Sequence, residues 1–219
     1  ILAIDTATKW TSLALSDETA ILAEHTWRTL DNHTVEVAPA IESMLNTNGI
    51  SVADLNAVAV ALGPGSFTAL RIGLGLAKGL AVAHNMSIVG VPTHDIIAFP
   101  QPQTYGSLFA VLQMGRARIA VSQYRLDEQG WVASKDPIIA TWDDLASEAK
   151  VANSENVYVC GEVDKKGVSI LTDHVTIATA SMNMRRASYL AEIAQARLAS
   201  GESDDPSTLV PIYLQQPPT

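Results

Sequence analysis

The chain has 219 residues, 47% of them hydrophobic and 17% charged, with a formal net charge of −9. That length holds one large domain or two small ones. No apolar run reaches the roughly 18–20 residues of a membrane span. The acidic balance argues against strong binding of nucleic acid by the chain alone, since that affinity comes mainly from Lys and Arg at phosphates; "GRAR" at Arg116 and "RRAS" at Arg185 are the densest basic patches.

The start does not resemble a signal peptide, and since Ile1 is not a methionine, residues upstream of it can be missing. "ILAID" (1–5) reads as a buried strand, and "TSLALSD" and "AILAEHTW" continue with alternating apolar positions and acidic turns. Together they predict a three-stranded antiparallel meander. In "NHTVEVAPAIESMLNTNG" the period changes: Val37, Ala40, Ile41, Met44 and Leu45 fall on one helical face. Pro39 is awkward inside a helix, so the regular helix is expected to start near Ala38, and Asn48-Gly49 ends it.

"AVAVALG" (57–63) is an apolar run of the kind found in a sheet covered on both faces. The turn Gly63-Pro64-Gly65-Ser66 then opens into "FTALRIGLGLAKGLAVA". Glycine supplies the turn's freedom, and Ser66 or Thr68 can cap a helix whose free N–H groups would suit an anion. The Walker pattern is absent, because Ser-Phe-Thr-Ala-Leu-Arg follows Gly65. In the helix body Ala69, Gly73, Ala77 and Ala81 are spaced by four, as are Gly75 and Gly79. Glycine in a helix costs about 1 kcal/mol relative to alanine, so close packing against this helix is the favoured reading and anion binding the lesser one.

"MSIVGV" (86–91) is a further buried strand, and the Pro- and Gln-rich 99–106 reads as a boundary. Beyond it, "SLFAVLQMGRARIAVSQYRLDEQG" repeats the plan of "LAIDTATKWTSLALSDE": strand, small turn, strand, acidic turn. Next come a strand and a helix capped near Thr141, strands at "NVYVCGE" and "VTIAT", and a helix with Leu190, Ile193, Ala194 and Leu198 on one face and Gly201 as its stop. The proline-rich tail is expected to fray. The single cysteine, Cys160, excludes an internal disulfide, fits a reducing compartment and reads as a core residue ending a strand.

Chemistry is sparse. Asp5-Thr6-Ala7-Thr8 follows the first strand, an acid and hydroxyls that would suit Mg-phosphate in the manner of actin-like ATPases; an ordinary Asx or Ser/Thr turn reads the same residues without a ligand and is the more common case. Asp5, Thr6, Thr8, Gly63, Gly65 and Ser66 are thus the candidates for a nucleotide site. His33 opens the first long helix, but position i+4 is Val37, so a helical metal pair lacks its second ligand, and His25, His84, His94 and His174 have no ligand-like spacing. No G-x-S-x-G elbow or Ser/His/Asp grouping occurs.

"ILAIDTAT", "HTVEVAPAI", "GPGSFTALRIGLGLAKGLA" and "PIYL", in this order, resemble the bacterial TsaB (YeaZ) family over essentially the whole chain. The resemblance implies an α/β, two-lobed actin-like (ASKHA, ribonuclease-H-like) fold with mixed sheets. Its lobes are expected at 1–100 and 101–219, the C-terminal helix being able to pack back on the first. It implies a cytoplasmic, non-catalytic partner of TsaD, the enzyme that transfers threonylcarbamoyl to an adenosine beside the tRNA anticodon. TsaE would dock at the TsaB–TsaD junction, tRNA would be met only through the complex, and a homodimer would form when TsaD is absent; no cofactor or membrane is implied. TsaD carries a metal-binding His-x-x-x-His; here the matching positions are His33 and Val37. The family's pairing surface is formed by the first helix and the Gly-rich second helix, and periodicity selects Val37, Ala40, Ile41, Met44, Ala69, Ile72, Gly73, Leu76 and Ala77 as contacts. Departures from the family pattern are Ala69 for a usual glycine, Val35 with Glu36 displaced by one, and Gln113-Met114-Gly115-Arg116 where an Asp-Ala-Arg-like stretch is common. The alternatives are an actin-like ATPase or phosphotransferase, opposed by Gln113 because such enzymes take acids from both lobes, and a metalloprotease-like hydrolase, opposed by Val37.

Overall fold

The computed structural model describes residues 1–29, 32–128, 130–151, 156–173 and 175–214. His174 and the tail expected to fray (215–219) lie outside them. The chain divides into two compact units, Ile1–Ile96 with Arg186–Ile212, and Ile97–Arg185 with the residues from Tyr213 on. The boundary expected at residue 100 falls at Ile96/Ile97, and the last helix belongs to the first unit. Among the described residues no helix is long and apolar enough to cross a membrane.

The first unit holds β1 (Leu2–Asp5), β2 (Trp10–Ser16), β3 (Ile21–Arg28), α1 (His33–Thr47), β4 (Ala57–Gly63), α2 (Phe67–His84), β5 (Ser87–Pro92) and, from the end of the chain, α6 (Ala187–Ala199). Its sheet runs β3-β2-β1-β4-β5. β1, β2 and β3 form the antiparallel meander, and β4 and β5 continue it in parallel. Along the strands large and small residues alternate. Leu2, Ile4, Leu13, Leu15, Val58 and Val60 face α1 and α2, whereas Ala3, Ala14, Ala59 and Ala61 meet Ala187, Ala191 and Ala194 of α6. Since successive side chains in a strand point to opposite faces, period-two alternation alone produces a thick layer on one side and a thin one on the other.

α1 begins at His33, not near Ala38, and carries Pro39 inside it. Proline removes the bond to the carbonyl four residues back. That carbonyl belongs to Val35, and Val35 and Pro39 are both exposed, so water can serve it. After α6 the chain returns along the sheet: Asp204 bridges Ile88, and Ile212 donates its N–H to the Leu62 carbonyl at 2.8 Å.

α3 (Thr93–Ala98) runs across the boundary, and the second unit holds β6 (Ser107–Gln113), β7 (Ile119–Asp127), β8 (Gly130–Ala133), β9 (Ile138–Ala140), α4 (Trp142–Val151), β10 (Val157–Gly161), α5 (Lys165–Leu171) and β11 (Thr176–Ile177). Its sheet runs β11-β10-β6-β7-β8, with β9 on β7. With β9, the sixth strand of the second sheet, set aside, and counting from each unit's own first strand, both sheets have the order 3-2-1-4-5, three strands antiparallel and two parallel. The repeat reaches single residues. Strand four ends in a glycine with positive φ in both, Gly63 at 109° and Gly161 at 103°. Each donates its N–H to a side chain that follows strand five, Thr93 Oγ1 at 3.0 Å and Asn183 Oδ1 at 2.8 Å. Three residues on, Ser66 and Asp164 take the N-cap of the next helix.

Candidate functional site

In a sheet of this topology ligands bind beyond the carboxyl ends of the parallel strands. In the first unit that place is the Asp5–Thr8 turn and the Gly63–Ser66 turn, and there the two turns bond each other. Asp5 is buried and its Oδ1 accepts the Ala7 N–H at 2.9 Å. Thr6, buried, donates its hydroxyl to the Ala69 carbonyl of α2 at 2.7 Å. The Ala7 carbonyl accepts the Ser66 N–H at 2.7 Å, and Gly65 lies so near that a Cβ there would collide with that carbonyl. Thr8 Oγ1 accepts the Trp10 N–H. Gly63 is covered by the Ile212 carbonyl, 2.7 Å from where a Cβ would stand. Ser66 occupies the N-cap of α2, but its side chain makes no capping bond. All six nucleotide candidates are thus brought together. Their shared geometry is that of two loops joined through their own backbone, the Asx-turn reading of Asp5 included.

The metal reading does not fit either. The Nε2–H of His33 donates to the Thr8 carbonyl at 3.1 Å, and Val37 is fully buried in the core. Among the described residues no cluster of three His, Cys, Asp or Glu could hold a metal ion. Cys160 is fully buried, and burial pushes its thiol pKa up, away from thiolate chemistry.

In the second unit Gln113 ends β6 where Asp5 ends β1. Its N–H donates to Glu162 Oε2 at 3.0 Å and its side-chain amide to the Glu162 carbonyl at 2.9 Å. Glu162 in turn faces the buried Arg185 guanidinium, 3.8 Å from Oε1. An acid is therefore present after all at this end of the second sheet, one strand over from where the sequence pattern looked for it, and it pairs with an arginine of its own unit.

The helix pair α1–α2 divides the nine expected contact residues. Val37, Ile41, Met44, Ala69, Gly73 and Ala77 are buried against this unit's own core, and only Ala40, Ile72 and Leu76 are partly exposed. Six of the nine thus lie on the inward face. Gly73 is small for Thr6, whose Oγ1 a Cβ at 73 would strike. The outward face of the pair is different and includes none of the nine. On α2 it carries Phe67, Arg71, Gly75, Gly79 and Val82; on α1, Val35, Ala38 and Pro39. Phe67 is 53%, Val35 69% and Val82 70% exposed. Nothing stands within 4 Å of a Cβ built on Gly75 or Gly79. The Arg71 guanidinium lies 3.8 Å over the Phe67 ring. Beside this face Glu36 accepts the Trp27 indole N–H at 3.0 Å; that bond, then Thr29, holds the carboxyl below its usual range. The signal that could have found the face is simple: Gly75 is two residues, about 200°, around the helix from Gly73.

A doubled 3-2-1-4-5 sheet whose strand ends are closed by their own turns defines an actin-like, ribonuclease-H-like protein. The family model for TsaD, tRNA N6-adenosine threonylcarbamoyltransferase, matches residues 22–217. The chain belongs to this family, among its TsaB (YeaZ) members. It is 36% identical over 132 residues to an Escherichia coli protein named tRNA threonylcarbamoyladenosine biosynthesis protein TsaB, covering 59% of this chain and 57% of that one. The Bacillus subtilis protein of the same name is 28% identical over 222 residues, covering 98% and 93%. The match thus spans little more than half of the first relative and nearly all of the second. YeaZ from Pseudomonas aeruginosa shares the fold, with a TM-score of 0.78 at 23% identity over 97% of this chain and 98% of that one.

Proposed function

We propose that this protein is a non-catalytic partner of the tRNA threonylcarbamoyladenosine pathway, docking on the transferase TsaD through the outward face of α1 and α2. One observation carries the reading: the strand ends where an enzyme of this fold would work are closed by the chain's own bonds, while a neighbouring helix face presents glycines and apolar side chains to solvent. Small residues spaced by four let a second helix approach closely, and exposed apolar side chains beside them are the usual mark of a docking surface. The relatives' names supply the pathway. The same face serves a second copy of this chain when TsaD is absent, TsaE docks where the two proteins meet, and tRNA is reached through the assembly. The work is done in the cytoplasm.

The test is an activity assay with the separate proteins. TsaD from the same organism, supplied with threonylcarbamoyl-adenylate and tRNA, is expected to modify tRNA markedly faster with this chain present, and the chain alone to give no product. Modification by the chain alone, or nucleotide-dependent thermal stabilisation of it, would favour an enzyme with its own nucleotide site.

A further inference from the structure

An open sheet has two outer strands, and their unpaired main chain has to be covered or guarded. In the first unit one of the two is closed. Along β5 the Asp204 N–H donates to the Ile88 carbonyl at 2.8 Å, Asp204 Oδ2 accepts the Gly90 N–H at 2.8 Å, and the Gly90 carbonyl accepts from Arg197 at 2.9 Å. β3, at the other edge, has no such cover. The ladder with β2 fixes which of its groups turn outward. Thr29 donates its N–H to the Lys9 carbonyl at 2.9 Å. Bonded pairs alternate along an antiparallel ladder, so in the observed register Trp27, His25 and Ala23 bond Thr11, Leu13 and Leu15. The N–H and C=O groups of Glu24, Thr26 and Arg28 therefore point away from β2, and among the described residues none bonds them. β3 has 8 residues, with no proline or lysine to guard it; the outer strands of the second sheet, β8, β9 and β11, have 4, 3 and 2.

What fits this edge follows from its own side chains. A second copy pairing antiparallel about a two-fold axis must set outward groups against outward groups, so the axis falls on one of the residues Glu24 to Arg28. On Glu24 or Arg28 it opposes like charges, and on His25 or Trp27 neither charge meets its opposite. On Thr26 it sets threonine against threonine, Glu24 against Arg28 and the His25 ring against Trp27, and each of these is a favoured cross-strand pair. Arg186 and the Ser188 N–H already bond Glu24, and the carboxylate, which accepts at about four lone-pair sites, keeps one for the facing arginine. We infer that the β3 edge pairs antiparallel with β3 of a second copy of this chain, centred on Thr26. Over Glu24–Arg28 this forms about six main-chain hydrogen bonds. A contact of about five residues a side stays below the roughly 1,200 Å² at which stable interfaces begin, so the pairing is transient and grows with concentration. It uses no residue of the outward face of α1 and α2, and so it does not rest on the proposed function.

The test is thiol cross-linking of the full chain under mild oxidation, with the dimer followed by non-reducing electrophoresis. Cys160 is fully buried and does not compete. In a bonded pair the facing Cα atoms are about 5.5 Å apart, within the roughly 4.4–6.8 Å that a disulfide spans. His25 and its copy stand on a diagonal, about 7–8 Å apart. Thr26→Cys should therefore give dimer about ten-fold faster than His25→Cys, although His25 is the more exposed of the two. Arg28→Glu added to Thr26→Cys opposes two carboxylates and should slow the reaction about ten-fold. Circular dichroism checks that the variants fold. Thr26 bonds Ser12; if Thr26→Cys does not fold, sedimentation velocity compares the wild type with Arg28→Glu, and the wild type should show the larger dimer fraction at raised concentration. Cross-linking at His25→Cys as fast as at Thr26→Cys, no effect of Arg28→Glu in either measurement, or a Thr26→Cys thiol that captures TsaD and not a second copy from a mixture of the two proteins would overturn the inference.

Discussion

Gly73 and Gly75 are two residues apart and do opposite things. Gly73 is buried against Thr6, whose hydroxyl is fixed on the Ala69 carbonyl, so Gly73→Ala forces an extra methyl into a closed space. Overpacking of this kind costs about 1–3 kcal/mol, and the urea midpoint should fall with its slope unchanged; an unmoved midpoint would contradict the packing. Gly75 meets open space, and Gly75→Ala should instead raise stability by about 1 kcal/mol through helix propensity. The spacing of small residues was legible in the sequence, but the choice between two stripes was not. It depends on Thr6, a residue more than sixty positions away in sequence, which β1 brings against α2. Glu36 offers a test by pH. Its folded pKa is lowered from 4.5, first by the Trp27 indole and then by Thr29. A lowered carboxylate pKa adds stability above the unfolded value and loses it as pH falls through the folded one. Stability should therefore decline below about pH 4.5 in part through this group, and Glu36→Gln should flatten that part of the acid limb; an identical limb would remove the role assigned to the Trp27 bond.

At the level of elements, the thin side of the first sheet sets how near α6 lies. Ala59 of β4 is fully buried among the alanines of α6. Ala59→Leu should destabilise by about 1–3 kcal/mol, more than a leucine placed at exposed Ala38 on α1; equal thermal midpoints for the two would contradict a close α6. Most of the elements were readable because they are long and periodic: the meander, α1, β4, α2, β5, β10 and α6. Those that escaped are short. α3 has 6 residues, α5 has 7 and β8 has 4, less than two helical turns or a hairpin's worth of alternation, so neither period shows. The start of α1 at His33 differs from the expected Ala38 for another reason. The general penalty for a proline inside a helix is small where, as at Val35, the orphaned carbonyl faces water.

Over the whole molecule the duplication was visible in two strand pairs and proves to run through both sheets, down to the paired glycines at Gly63 and Gly161. The second unit's version of the strand-end turn is held by charge as well as by backbone. Glu162 joins the Gln113 N–H to the buried Arg185. Removing one partner of a buried ion pair costs up to about 3–5 kcal/mol. Glu162 keeps some exposure and the pair is long, so Glu162→Ala should lose less, about 2 kcal/mol, and the loss should be seen in unfolding and not in docking on TsaD through α1 and α2. Docking itself is the central claim, and the outward helix face decides it. The measurement is size-exclusion chromatography with light scattering on a mixture of this chain and TsaD from the same organism, for the wild type and for the Gly75→Leu/Gly79→Leu variant. The account predicts a one-to-one heterodimer for the wild type, and a variant that folds with the wild-type thermal midpoint or better yet elutes apart from TsaD. A wild-type chain that does not associate, or a variant that associates as well as the wild type, would contradict it.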